Sequence, residues 1–175
     1  MTSYECDLIK EMNPSRFIKR AWRKMDGKFD WVTLNHKDND YPEGIKNHLL
    51  QLKSTFEHNG FVFGAFDCNK LVGFCSVNSN IFGNCHKYLL LDQLFVANTH
   101  QDRGIGKKLF RFAVEYAVIR KADKLYICSG SSEDTLAFYR KLGCVEVMEV
   151  NQQLLMNDEN DIQLEYDLKK SALNT

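Results

Sequence analysis

The chain has 175 residues, 44% apolar and 12% aromatic, which suits one sizeable core and argues against a second. Lys plus Arg equals Asp plus Glu at 23 each, so no net field draws the protein to nucleic acid or an anionic membrane. The N-terminus lacks the basic start and apolar run of a secretory leader, and no uncharged stretch approaches spanning length, so a cytoplasmic protein is expected.

Taken in chain order, Tyr4 to Ile9 reads as a first strand. Asn13-Pro14 then supplies an N-cap and a proline at the first helical position, and Phe17, Ile18, Ala21, Trp22 and Met25 recur at helical spacing until Gly27. The polar stretch from Asp26 to Gly44, with Asp30, Asp38, Asp40, Phe29, Trp31 and Tyr41, reads as a long binding loop or flap. A second helix runs from about Glu43 to His58, with Ile45, Leu49, Leu52 and Phe56 inward, and stops at Asn59-Gly60. Phe61 to Phe66 and Leu71 to Val77 form a hairpin around a short polar turn, and Tyr88 to Val96 is the most apolar strand, expected to be central.

From Gly104 to about Arg120 the pattern is helical, with Leu109, Ala113 and Ala117 inward and Lys107, Lys108, Arg111 and Glu115 outward. Lys124 to Cys128 is a strand, Ser132 to Leu142 a helix, and Cys144 to Val150 and Ile162 to Leu168 are strands. The expectation is one domain over residues 1–170, with residues 171–175 a frayed tail. The last strand is expected at an exposed edge, where pairing would give a homodimer. Cys6, Cys68, Cys75, Cys85, Cys128 and Cys144 show no close ligand pairing and are read as free, mostly buried thiols; the five histidines show no ligand spacing, so no metal is expected.

The informative stretch is Leu91-Asp92-Gln93-Leu94-Phe95-Val96, a short loop, then Gln101-Asp102-Arg103-Gly104-Ile105-Gly106 opening a helix. A strand that delivers the chain to a helix N-terminus presents free N–H groups and a positive dipole end to a phosphate, and glycine lets an anion approach the backbone. A Walker loop needs four residues between Gly and Gly-Lys-Ser/Thr, and a dinucleotide fingerprint needs a third glycine where Leu109 stands. A tight turn without a ligand fits the same residues.

Gln101-x-x-Gly104-x-Gly106 resembles the acyl-CoA loop of the GNAT (Gcn5-related) acetyltransferase superfamily. Ser132-Glu133-Asp134-Thr135-Leu136-Ala137-Phe138-Tyr139-Arg140-Lys141-Leu142-Gly143 is similar to its second motif, with Ser132 and Thr135 where that family usually carries Asn and Ala. The resemblance implies an α/β (α+β) fold with a mostly antiparallel mixed sheet of about seven strands and about four helices, ordered β-α-α-β-β-β-α-β-α-β-β. It implies acetyl-CoA as cosubstrate and an amine as acceptor. Backbone groups of Leu94, Phe95 and Val96 would hold the pantetheine arm and thioester carbonyl. The loop Gln101, Asp102, Arg103, Gly104, Ile105, Gly106 and Lys107 would hold the pyrophosphate, with Ser132, Thr135, Phe138 and Tyr139 lining the rest. Tyr139 matches the frequent general acid, and Asp92 is a candidate base, ammonium ligand or partner of a lysine such as Lys87. The asparagine-to-serine departure weakens Ser132 as a cofactor ligand. A CoA-binding sensor without turnover, and an unrelated nucleotide-binding domain, are the competing classes. The acceptor is open; the early-loop aromatics and acids with Asp158, Glu159 and Asp161 would suit a cation, although a solvated loop fits them better.

Overall fold

The computed structural model describes residues 1–26, 28–156 and 160–169. Strands β1 (Arg16–Met25) and β2 (Lys28–Asp38) form a separate antiparallel hairpin. Helix α1 (Ile45–Glu57) follows, then β3 (Phe61–Asp67), β4 (Lys70–Val77), β5 (Tyr88–Val96), α2 (Ile105–Ile119), β6 (Lys124–Ser129), α3 (Glu133–Lys141), β7 (Val145–Glu146), α4 (Gln152–Leu155) and β8 (Ile162–Asp167). The main sheet has six strands in the order β3-β4-β5-β6-β8-β7. Only β5 and β6 run parallel, joined by the crossover helix α2.

The N-terminal third departs from the sequence reading. Residues Glu5–Lys10 form a 3-10 helix, not a strand; its Cys6 and Ile9 are fully buried, which the tight three-residue turn allows and period-two alternation would not. The expected helix over residues 14–25 is strand β1, and much of the expected loop over 26–44 is β2. Asn13 does not cap a helix; its Oδ1 accepts from the Ser15 N–H at 2.9 Å, a local turn that launches β1. Phe17 and Met25, counted on the inner face of a helix, are more than half exposed. Trp22 instead pairs across the hairpin with Trp31, ring centroids 5.0 Å apart edge to face, and stacks on Phe29. Cross-strand aromatic packing therefore overrides a helix-compatible spacing. The main sheet has six strands where about seven were expected, because the first expected strand joins no sheet. β8 is not an edge strand, being paired with β6 on one side and β7 on the other, so the premise for edge pairing through it fails.

From α1 onward the order follows expectation, with the short α4 added between β7 and β8. Of the last two expected strands, the one read over 144–150 shrinks to the two residues of β7, while β8 stands where it was read. On one face of the sheet, Leu109, Phe110, Ala113, Val114 and Ala117 of α2 and Leu136 and Tyr139 of α3 pack on Leu89, Leu91, Leu125, Ile127 and Leu164. Burial of each large apolar side chain contributes about 1.5–3 kcal/mol, so this cluster dominates the fold. On the other face, Leu52 of α1 meets Val62, Leu71, Phe74 and Tyr41. Phe56, expected inward, is 40% exposed, and Thr55 is buried in its place. Asn59 takes the left-handed conformation (φ 59°) that ends the helix as expected. Tyr88, Leu90 and Tyr126 form a third cluster, with Phe82, Val147 and Leu154 of α4 packed against it. Next to it Lys124 and Glu165 pair at 2.5 Å, both nearly buried, and the Tyr88 hydroxyl donates to Glu165 at 2.7 Å. Half of the six thiols are buried; Cys68 and Cys85 are exposed in loops, and none of the six forms a disulfide.

Candidate active site

The central feature is an extra residue in β5. Ser76 pairs with Gln93 and Val77 with Leu91, so Asp92 has no partner on β4 and forms a bulge. The bulge inverts the alternation. Leu89 and Leu91 face α2, and simple alternation would send Gln93 and Phe95 after them; instead Leu94 and Val96 pack on that side. Phe95 turns to the α1 face against Tyr41, Phe74 and His48, and Gln93 turns there too, bonded to His48. Asp92 is half-buried. Burial raises its carboxyl above the ordinary aspartate range, opposed by hydrogen bonding from Gln93, the charge of nearby His48 and the Ser76 hydroxyl.

Immediately beyond the bulge the two parallel strands part. Pairing between β5 and β6 runs from Tyr88↔Lys124 to Leu91↔Ile127 and stops, although β5 continues to Val96 and β6 to Ser129. The Ala97 N–H donates to the Val72 carbonyl of β4 at 2.9 Å. By antiparallel alternation the N–H groups of Leu94 and Val96 then point away from β4, into the gap, while that of Phe95 points toward β4. Of the three residues expected to offer backbone donors, two face the opening.

The gap leads to the N-terminus of α2. Gly104 is the N-cap at φ 77°, no side chain caps the helix, and no acidic residue lies in its first turn. The leading N–H groups are thus available to an anion. A Cβ on Gly104 would meet no atom within 4 Å, so the space in front of these donors is open. Arg103, Lys107 and Lys108 are exposed around it, and Gln101 reaches back to the Val96 carbonyl at 3.4 Å. Asp102 is left-handed at φ 59° and exposed, and Ile105 is half-buried. Gly106 has a different reason: its Cβ would stand 3.2 Å from the Phe138 ring and 3.6 Å from Val96, so the glycine lets α3 close on α2.

On the β6 side, Ser132 is the N-cap of α3, donating to Thr135 Oγ1 at 2.7 Å and accepting from the Thr135 N–H at 3.4 Å. Its one donor is used within the chain, and so it offers a ligand only acceptor capacity. Tyr139 is 7% exposed, packed edge to face on Phe110 and Phe138, and burial holds its phenol well above the ordinary range. Cys144, Cys75, Asp161 and Cys128 add to this, and Tyr139 shares the core cluster with Cys75 and Cys144. Cys128 is the first β6 residue past the last pair with β5; burial pushes its thiol up to about 12, and Asp161 and Asp92 add to this. Asp161 therefore joins the site, while Asp158 and Glu159 lie outside the described residues. The Lys87 N–H binds Asp123, and Lys87 is not among the groups acting on Asp92.

Sequence reasoning missed two features of this region. The hairpin is fastened to the loop before α3: the Trp22 N–H donates to the Ser131 carbonyl at 2.8 Å, Arg23 bonds the Ser131 hydroxyl, and Arg20 Nε donates to Glu133 at 2.9 Å. The dipeptide Asp26-Gly27 between two aromatic-containing runs was the available signal. His48 is the other. Its Nδ1 lies 2.9 Å from Gln93 Oε1 and its Nε2 2.7 Å from the Pro42 carbonyl, so it ties α1 to the bulged strand. The Gln93 amide donates in turn to the His48 carbonyl at 3.2 Å.

Several solved structures share this architecture. A nourseothricin acetyltransferase superposes with a TM-score of 0.71 at 16% identity, over 96% of this chain and 95% of that one. An aminoglycoside 6'-N-acetyltransferase complexed with coenzyme A gives 0.57 at 17% identity, over 72% and 82%. An IAA acetyltransferase from Bacillus cereus ATCC 14579 gives 0.53 at 25% identity, over 67% and 83%. The model of the acetyltransferase (GNAT) family matches residues 28–144, more than half of the sequence and the whole stretch from β2 to the end of α3, and the chain belongs to that family.

Proposed function

We propose that the protein is an N-acetyltransferase that moves an acetyl group from acetyl-CoA to an amine by direct attack while both are bound. The observation that carries this is the parting of β5 from β6 after Leu91 and Ile127, with the Leu94 and Val96 N–H groups facing the gap beside the uncapped start of α2. Family membership and the coenzyme A held by the aminoglycoside acetyltransferase of like fold support the choice of cosubstrate. The open space at Gly104 fits a pyrophosphate taken by the α2 N–H groups, with Arg103 and Lys107 nearby. In the chain's own terms, Leu94 and Val96 donate to the thioester carbonyl as negative charge builds on its oxygen. Asp92 takes the proton of the incoming ammonium, directly or through water, and its raised carboxyl suits it to that work better than an ordinary aspartate. The Tyr139 hydroxyl returns a proton to the departing thiolate; burial raises its pKa and weakens it as an acid, which makes this transfer uphill, so Tyr139 assists. Among the described residues no helix is long and apolar enough to cross a membrane.

The test is release of free coenzyme A from acetyl-CoA against a panel of amines, with Tyr139→Phe in parallel. Turnover on one amine class, slowed in the variant with acetyl-CoA affinity retained, is expected. Tight acetyl-CoA binding without turnover on any amine would refute catalysis and leave a sensor.

A further inference from the structure

On the α1 face, in front of the bulge, lies an open cleft of about 460 Å³. Asp92 lies at it, Gln51, Ser54 and Thr55 come from the second half of α1, and Asn78 and Asn80 from the segment after β4. That volume is in the range of small-molecule sites, but the lining is not the usual apolar one. Leu50 is its one large apolar side chain, and Leu50 is 66% exposed.

We infer that this cleft receives the acceptor, and that the acceptor is a small polyhydroxylated amine of the amino-sugar class, its ammonium group turned toward Asp92. The inference rests on the acetyltransferase reading and deepens it.

Three features select for a cation. Asp92 is the only carboxylate in the lining. The last turn of α1, whose carbonyls carry the negative end of the helix dipole, forms one wall and contains no Lys or Arg; the basic side chain that lines the cleft is His58, just beyond it, whose Nδ1 lies 2.7 Å from the Ser54 carbonyl. Ser76, on β4 opposite Gln93, is fully buried, and its hydroxyl bears on the Asp92 carboxyl and favours the charged form that an ammonium would meet. Arg120 is engaged on the Ser79 carbonyl at 3.1 Å and does not line the cleft.

The neutral groups select for hydroxyls. Thr55 Oγ1 donates to Asn78 Oδ1 at 3.0 Å, which fixes that amide and turns its two donors to other partners. Gln51 and Asn80 are exposed amides whose donors and acceptors point to solvent or ligand. A methylene chain laid over these groups would strip their water and return no hydrogen bond, whereas ring hydroxyls replace that water group for group.

The experiment compares glucosamine, 1,5-diaminopentane and a short peptide with a free N-terminus, using coenzyme A release and, separately, calorimetric binding of each amine to the full chain alone. Glucosamine is expected to show the highest kcat/KM. In Asn80→Leu and Gln51→Leu, exposed positions that carry little folding risk, the kcat/KM ratio of glucosamine to diaminopentane should fall about tenfold, equivalent to about 1.4 kcal/mol. Turnover that favours the diamine or the peptide, or a ratio unmoved in both variants, overturns the substrate class and leaves the acetyltransferase reading standing. If no amine is turned over, that earlier reading fails, and calorimetry decides the cleft by itself. Glucosamine binding weakened by Asn80→Leu supports the inference, and no binding overturns it.

Discussion

Replacing Gly104 with alanine separates two reasons a glycine can stand at a helix start. Its φ of 77° is left-handed, and a Cβ there would touch nothing within 4 Å. With no clash to relieve, the cost to folding is backbone strain alone, about 1–2 kcal/mol. For a chain of this size that lowers Tm by about 2–8 °C. The new methyl group projects into the space assigned to the pyrophosphate, in front of the free N–H groups of α2. Losing one charge-assisted hydrogen bond there costs about 1.5–3 kcal/mol, so coenzyme A should bind roughly ten- to a hundredfold more weakly. Calorimetry with coenzyme A, beside a thermal melt, reads both quantities. An acetyl thioester truncated before the pyrophosphate should be used equally well by variant and parent. Coenzyme A affinity equal to the parent's, or an equal loss for the truncated donor, would show that Gly104 serves the turn and not the phosphate.

Other outcomes follow from buried charge and close approach. Asp92 has a raised carboxyl, so the parent's kcat/KM for the amine should rise with pH through a value above the ordinary aspartate range, and Asp92→Asn should abolish that limb. For stability the sign is the reverse: a raised acid favours the folded state below its unfolded pKa, and that contribution is lost as pH rises through the folded value. Asp92→Asn should therefore gain stability relative to the parent at neutral pH, read by urea titration at several pH values. In Lys124→Met, Glu165 keeps its charge and loses its partner, which should cost about 3–5 kcal/mol at neutral pH. Burial raises the Glu165 carboxyl, but the bonds from Lys124 and Tyr88 outweigh it and the net shift is downward. The pair's stabilisation is thus present above the ordinary glutamate value and lost as pH falls through the lowered one, so the gap between parent and variant should narrow in acid. In Gly60→Ala the Cβ would lie 2.5 Å from Thr55 Cγ2 and 2.8 Å from two backbone carbonyls, so a stability loss of about 2 kcal/mol or more is expected in the same titration.

How far the fold was legible depended on whether a segment's period was ambiguous. The stretch from α1 to α3 carries unmistakable signals: a helical stripe closed by Asn59, a hairpin turn, a strand without charged interruptions until Asp92, and glycines opening a helix. Phe17, Ile18, Ala21, Trp22 and Met25 satisfy a 3.6-residue period by arithmetic, yet the face that counts in the folded chain is set by Trp31, nine residues downstream of Trp22. Local spacing carries no information about that partner. Weighing Asp26-Gly27 as a reversal between two strands would have changed the reading.

The site was legible in its motifs and not in its depth. The residues placed at the cosubstrate groove by resemblance converge on one opening, because strand end, loop and helix start are contiguous in sequence. His48, Ser76 and Cys128 surround Asp92 from three other elements and had no signal of their own. What links them is the bulge. One uncompensated residue in β5 turns Gln93 toward His48 and Leu94 toward α2, and it stands where β5 and β6 last pair. Deleting Asp92 would remove the bulge and leave Leu91 opposite Val77 and Gln93 opposite Ser76, so Leu94 would still face α2 and Gln93 the α1 side. Asp92→Asn keeps the extra residue and removes only the charge. The two changes together separate the architectural use of this position from its chemical one: both variants should unfold cooperatively, and transfer slower in the deletion than in Asp92→Asn would show that the bulge itself serves the site.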